Sequence, residues 1–301
     1  MNIDYPYYSL FYKLKVSAIK KLVTDFKPII IKHSFKDAQK YENQYFVIID
    51  KWGKNYELNS LTDYFTEPVR VHCKFGSYPS PIEYWQKNKE KIIKLIGTNN
   101  INSIRNKLFY ETKLCNNFRI SVILTILRHF NCKKYLDISA GWGDRLLAAI
   151  LHNVDLYYSV DPNKDLHKYY KKIITKFVKK EDRDKFIIQD QGFEDVELPD
   201  TKFDLVFSSP PFFKLEKYST YKNNSMTKYN NEKTWCDQFL MKSILKAYNH
   251  LEKNGHMILY IHSSKYVDEK IQILHKMMKY KGIIYYYDNQ LRGMHVWQKI
   301  N

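Results

Sequence analysis

Tyr135-Leu136-Asp137-Ile138-Ser139-Ala140-Gly141-Trp142-Gly143-Asp144-Arg145 is an apolar strand that runs into a turn of small residues and then opens a helix. Small residues let the backbone pass close to a ligand, and the first turn of a helix presents N–H groups with no partner inside the helix. The stretch predicts a nucleotide-like ligand at a strand-to-helix turn. A dinucleotide-binding G-x-G-x-x-G turn needs a third small residue at position 146, where the chain has Leu146; this speaks against hydride transfer. Asp161 ends the next apolar run as Val160-Asp161-Pro162-Asn163. A carboxylate there is placed to accept both ribose hydroxyls of a nucleoside.

Outward from this turn, apolar runs alternate with helical patterns, as β-α units around a parallel sheet do. Strands are expected at 134–139, 155–160, 186–189 and 203–208, with helices at 144–152 and 165–179. A helix over 232–252 is expected to stop at Asn254-Gly255, a good C-terminal signal. A strand at 256–262, a helix at 266–279 and an antiparallel pair at 283–287 and 294–299 complete the pattern. The fold class is α/β: a Rossmann-like seven-stranded sheet over residues 106–301, with a smaller α+β domain over 1–105. Pro-broken, Tyr-rich pieces such as Gly76-Ser77-Tyr78-Pro79-Ser80-Pro81 mark that first part, followed by a helix at 82–96. The boundary is expected at 97–102, where Gly, Thr and Asn cluster.

With 301 residues and 44% apolar side chains the chain is long enough to bury a real core. Its apolar runs fall far short of the ~20 residues of a membrane span, and the N-terminus lacks the layout of a leader peptide; the reading is an intracellular protein without membrane contact. The four cysteines, Cys73, Cys115, Cys132 and Cys236, form no C-x-x-C pair. They are expected to be reduced, with no metal site. A net charge of +17 favours a polyanionic partner. Only seven of the 49 basic residues are Arg, in a chain crowded with Lys, Asn, Ile and Tyr. Part of the charge then reflects an AT-rich coding bias on a solvated surface, and Lys lacks the fork that reads base edges bidentately.

Phe203-Asp204-Leu205-Val206-Phe207-Ser208 runs into Ser209-Pro210-Pro211-Phe212-Phe213. Taken alone this is a Pro-Pro turn closing a strand. Behind the turn at 139–143 it gains chemical meaning. An aromatic amine is a poor nucleophile because its lone pair is delocalised, and acceptors on its N–H bonds favour a more tetrahedral nitrogen. The Ser209 side chain and the Pro210 carbonyl suit that task. Pro210 and Pro211 donate no N–H and stiffen the backbone, and Phe212 suits stacking on an extruded base.

From about Phe118 to the C-terminus the chain resembles the class I S-adenosylmethionine-dependent amino-methyltransferases with a [Asp/Asn/Ser]-Pro-Pro-[Tyr/Phe/Trp] motif. These include DNA adenine-N6 and cytosine-N4 methyltransferases and several RNA guanine-N2 and adenine-N6 enzymes. The resemblance implies S-adenosylmethionine as cofactor, held by Asp137, Ser139, Ala140, Gly141, Gly143 and Asp161, with Asp137 at the methionine end. Ser209, Pro210, Pro211 and Phe212 would orient the amine. In Asp190-Gln191-Gly192-Phe193-Glu194-Asp195, Phe193 would pack on adenine and Asp190 or Gln191 would take its amino group; in Cys115-Asn116-Asn117-Phe118, Phe118 would line the methionine end. Ser replaces the commoner Asp or Asn and Phe replaces Tyr; Ser in this position resembles cytosine-N4 enzymes without fixing the base. Glu216 and Tyr218 would border the target pocket. Apart from the resemblance, Tyr78, Tyr84 and Trp85 are placed either to stack bases beside Lys74 and Lys87 to Lys91 or, for Tyr84 and Trp85 on their helix, to be core. The expected partner is nucleic acid, DNA favoured over RNA. An RNA base or a protein glutamine is the alternative substrate, and a catalytically silent nucleic-acid-binding domain the alternative class.

Overall fold

In the computed structural model, residues 4–31, 43–50, 55–213, 215–219, 221–287 and 291–300 are described. Short runs rich in Val, Ile, Tyr and Phe become eleven strands among them: β1 (Ile29–Ile31), β2 (Gln44–Ile49), β3 (Lys74–Phe75), β4 (Lys134–Asp137), β5 (Leu156–Val160), β6 (Phe186–Gln189), β7 (Phe203–Ser208), β8 (Glu216–Lys217), β9 (Leu251–Leu259), β10 (Lys279–Tyr287) and β11 (Leu291–Gln298). Nine form one sheet in the order β1-β2-β10-β11-β9-β7-β4-β5-β6. The ladders joining β6, β5, β4, β7 and β9 are parallel, and β11 runs antiparallel to both β9 and β10. Strand order reverses at β4, where β5 lies on one side and β7 on the other. That crevice, outside the carboxyl ends of the strands, is where an open α/β sheet binds its ligand.

Successive strand residues point to opposite faces, and the core divides accordingly. Tyr135, Tyr157, Leu205 and Phe207 join one apolar cluster, with Leu146 and Leu147 of the helix Asp144–His152. Leu136, Tyr158, Val206 and Met257 join the other, with Trp235, Ile244 and Val267. The seven strands expected from residues 134–299 are present. Two more come from the N-terminal part, because β2 pairs in parallel with β10 and β1 pairs with β2. Residues 97–100 are a turn between the helices Pro81–Ile96 and Ile101–Thr112, which share a small cluster with Trp85, Ile92, Ile104 and Leu108. Trp85 is fully buried there, so its ring is core and not a platform for bases.

Two expectations are corrected. The helix begun at Glu232 passes through a π-helical turn at Cys236–Met241 and ends at Asn249, not 252. Asn254-Gly255 lies inside β9, in a bulge between the pairs Phe203↔Leu251 and Leu205↔His256. A Cβ on Gly255 would stand 2.9 Å from the Glu252 carbonyl and 3.0 Å from that of Asp204; close backbone approach, not a helix stop, explains the glycine. Second, Cys73 and Cys115 are not reduced thiols. They form a buried disulfide across 42 residues, with Cα atoms 6.4 Å apart. Spacing in sequence says nothing of such a meeting, whereas the fold brings the two chain segments together.

Among the described residues no helix is long and apolar enough to cross a membrane, and no three His, Cys, Asp or Glu side chains cluster as metal ligands.

Candidate functional site

At the carboxyl end of β4 the turn 138–143 crosses to the helix Asp144–His152. Gly141 (φ 57°) and Gly143 (φ 91°) hold left-handed backbone, which glycine adopts without strain. Beneath the turn Asp137 is fully buried. Its Oδ1 accepts from the Ser208 hydroxyl at 2.8 Å and the Ser139 N–H at 3.2 Å; its Oδ2 accepts from Arg145 Nε at 2.8 Å and the Tyr157 hydroxyl at 2.9 Å. An ionised carboxylate offers about four lone-pair sites, and here all are taken. Asp137 thus fixes the turn to β5, β7 and the helix and does not wall the cavity above.

That cavity, of 490 Å³, is lined by Ser139, Gly141, Asp161, Phe193, Phe118, Ser209, Pro211 and Phe212 among others. The fold therefore brings eight of the thirteen anticipated residues to one space. Asp137, Ala140, Gly143, Pro210 and Gln191 do not line it. Ala140 is buried with its N–H on the Val160 carbonyl, and Pro210 is buried. Gln191 is exposed, and neighbouring Asp190 faces Lys164 at 3.7 Å.

Asp161 lies at the carboxyl end of β5. Its Oδ1 accepts from the Asn163 N–H at 2.8 Å; its Oδ2 accepts from the Gly141 N–H and the Tyr170 hydroxyl, each at 3.0 Å. The Tyr170 hydroxyl has one proton and also meets the Gly141 carbonyl, so the carboxylate keeps acceptor capacity toward the cavity. Burial pushes the Asp161 carboxyl up to about 6, against the lowering effect of those donors.

Glu194 lies in the stretch expected to meet adenine, but sequence reasoning gave it no role. It lines the cavity, is 1% exposed, and its Oε1 accepts from Lys228 and the Tyr229 hydroxyl at 3.1 Å each. Its Oε2 is buried with no partner among the described residues. Asn117, passed over beside Phe118, resembles it: its amide nitrogen donates to Thr62 Oγ1 and Asp63 Oδ1, while its buried Oδ1 has no partner. An unpaired buried acceptor is unfavourable by about 1–3 kcal/mol, and both of these belong to residues of one cavity wall.

The motif after β7 supplies the opposite wall. The Ser209 carbonyl accepts from the Ser139 hydroxyl at 3.1 Å, tying the two loops together. Phe212 is half-buried, with ring centroids 5.7 Å from Tyr260 and 6.2 Å from His262. Phe118 packs edge-on to Phe207 and Tyr260. Tyr260 and His262 follow β9; the rule that ligands sit at the carboxyl ends of strands pointed there. Glu216 and Tyr218 also line the cavity, the Tyr218 hydroxyl donating to Glu216. Burial raises the Glu216 carboxyl above the usual carboxylate range.

Sheet order and cavity position define the chain as a doubly wound α/β protein with its site at the strand-order reversal. No family model and no curated protein matches the chain. Similar solved structures include an S-adenosylmethionine-dependent O-methyltransferase from Thermotoga maritima, at 12% identity over 63% of this chain and 68% of that one, TM-score 0.43. TrmN from Thermus thermophilus aligns at 12% identity over 61% and 49%, TM-score 0.46. The N-methyltransferase NodS from Bradyrhizobium japonicum aligns at 9% identity over 60% and 94%, TM-score 0.43. The matched region spans about half the length of TrmN. At these identities and scores the likeness is a loose one, in fold alone.

Proposed function

We propose that this chain binds S-adenosylmethionine in the 490 Å³ cavity and transfers its methyl group to an exocyclic amino group of a nucleic-acid base. The observation that carries the reading is the meeting of two motifs: Ser209-Pro210-Pro211-Phe212 and the Gly141 turn, with Asp161, wall the same space. The acceptors in that wall suit the cofactor. Asp161 would take a ribose hydroxyl, and Gly141 lets the backbone approach closely. Phe193 would pack on adenine, with Glu194 Oε2 accepting its amino N–H. Asn117 Oδ1 would accept from the ammonium at the methionine end. When bound, S-adenosylmethionine supplies an electrophilic methyl group.

The Ser209 hydroxyl, which has no partner among the described residues, would accept one N–H of the target amine and help localise its lone pair. Phe212 would stack on the base, with Tyr260 and His262 beside it. The buried Pro210 would stiffen the loop. The DNA preference suggested by the motif becomes a choice between DNA and RNA for a substrate panel.

Isothermal titration with S-adenosylhomocysteine tests the cofactor site. Binding is expected, and Asp161→Ala should weaken it by about tenfold to a hundredfold, the loss of one hydrogen bond to a charged group. A folded protein that binds none would overturn the reading.

A further inference from the structure

β3 and β8 form a two-stranded antiparallel ribbon that joins the N-terminal part to the segment after the Ser209 motif. Its pairs are Phe75↔Glu216 and Lys74↔Lys217. Alternation splits them: Phe75 and Glu216 line the 490 Å³ cavity, whereas Lys74 and Lys217 line a second groove of 590 Å³. The two spaces also share Asn163 and Tyr218 as walls. The ribbon is thus a partition between the cavity and the groove.

Charge on the groove side is arranged unfavourably for the protein alone. Lysines directly opposite across a ladder repel at about 5 Å between Cβ atoms. Glu83 meets Lys74 at 2.7 Å, but both side chains are more than 40% exposed, and such a pair contributes little. Lys217 has no acidic partner among the described residues. The helix Lys164–Phe177 forms another wall through Lys168 and Tyr169. Lys164, Lys168, Lys172 and Lys176 follow one another at i, i+4 along it, a spacing at which like charges destabilise. Lys168 and Lys172 stand over the Tyr169 ring at 5.1 and 5.2 Å. Asp165 is the groove's acidic residue, and its carboxylate already accepts the Tyr221 hydroxyl at 3.1 Å.

Coding bias explains many lysines; it does not explain a cross-ladder pair and Lys168 of a helical lysine row meeting at one groove beside the site. A chain of phosphates relieves the repulsion around Lys74, Lys168 and Lys217, and the half-buried ring of Tyr221 lines the same groove, where an unstacked base can lie.

We propose that this groove carries the backbone of a single-stranded nucleic acid, with Lys74, Lys168 and Lys217 on its phosphates, and that the strand passes the ribbon to put one base into the cavity. The destination of that base rests on the methyl-transfer reading; the phosphate track does not.

The test is fluorescence anisotropy with labelled oligothymidylate and oligouridylate of about 20 nucleotides, titrated across salt concentrations. Wild type is compared with K74Q/K168Q/K217Q and with K133Q/K253Q/K279Q, whose lysines lie at the amino ends of β4, β9 and β10. Each lost phosphate contact removes about 0.7 from the slope of log K against log salt for single strands. The groove triple should reduce the slope by about 2 and bind about tenfold more weakly, while the distal triple leaves it unchanged. Circular dichroism and the urea unfolding midpoint report on the fold of each variant. Should the groove triple be unfolded, K168Q and K217Q singly should each remove about 0.7. Absent oligonucleotide binding by wild type, or equal losses in the two triples, would overturn the track while leaving the cofactor reading standing. Loss of oligonucleotide binding by the groove triple in a protein that binds no S-adenosylhomocysteine would do the reverse. Preference between the two oligomers separates DNA from RNA as the strand.

Discussion

The two walls of the cavity are built differently. On the β4–β5 side Asp137 holds four donors and Asp161 three, and their oxygens tie the turn, the neighbouring strands and two helices into one network. On the β7–β9 side the Ser209 carbonyl is tied down, but its hydroxyl is not, and Phe212 keeps only loose ring contacts with Tyr260 and His262. The first wall is braced by that network and holds its spare acceptors, Glu194 Oε2 and Asn117 Oδ1, in fixed places for a fixed ligand. The second, with a free hydroxyl and a loosely held ring, suits a partner that enters and leaves. The contrast predicts that substitutions in the first wall are read as stability and those in the second as rate.

The largest effect should come from Asp137→Ala. It strands the buried Arg145 guanidinium and three further donors, and breaking a buried ion pair costs about 3–5 kcal/mol. Urea unfolding should show that loss; a change below ~1 kcal/mol would mean that Asp137 is not the keystone of this wall. Next, reducing the Cys73–Cys115 bridge, which closes a 42-residue separation, should remove up to about 4 kcal/mol. Cys115 leads into Asn117 and Phe118, so S-adenosylhomocysteine affinity should fall with it, whereas stability that ignores reductant would deny the bridge. Phe212→Ala touches only the second wall. It should leave the unfolding midpoint nearly unmoved and slow methyl transfer by about tenfold or more, as for loss of one stacked base contact.

The smallest effect is a pH dependence. Burial raises Asp161 and Asp144 alike to about 6 from 3.8. The folded chain holds these protons more tightly than the unfolded one, so their contribution to stability is complete below the unfolded value and is lost as pH rises through about 6. Ligand binding runs the other way, since accepting a ribose hydroxyl wants the ionised carboxylate. S-adenosylhomocysteine affinity should rise about tenfold between pH 5 and 7. Asp161→Asn should flatten the profile. A slope kept in that variant would place the titration at Asp144, which braces the Phe118 N–H.

Much of this was legible in the sequence because it is local. The helix Asp144–His152 and the strands 186–189 and 203–208 appear at the expected bounds, since each is one apolar pattern closed by its own turn residues. The two loops that carry Gly141 and Ser209 were legible for the same reason. What escaped is set by distant parts of the chain. Nothing near Gln44 announces a parallel partner at Ile283, nor does Cys73 announce Cys115. Asp137 was placed correctly at the strand mouth, but Ser208, Tyr157 and Arg145 claim it from three other elements. Glu194 was hidden by its neighbours: Asp190 and Gln191 are equally polar, and only folding shows that they face solvent while Glu194 turns inward.

The most direct test of the central claim is methyl transfer from labelled S-adenosylmethionine to double-stranded DNA, single-stranded DNA, total RNA and protein, comparing wild type with Ser209→Ala. Label should enter one nucleic-acid class, and the variant should lose about a hundredfold in rate, as when one preorganised acceptor or donor is removed, while keeping its affinity for S-adenosylhomocysteine. Label in no substrate, or equal labelling by the variant, would contradict the role given to Ser209-Pro210-Pro211-Phe212.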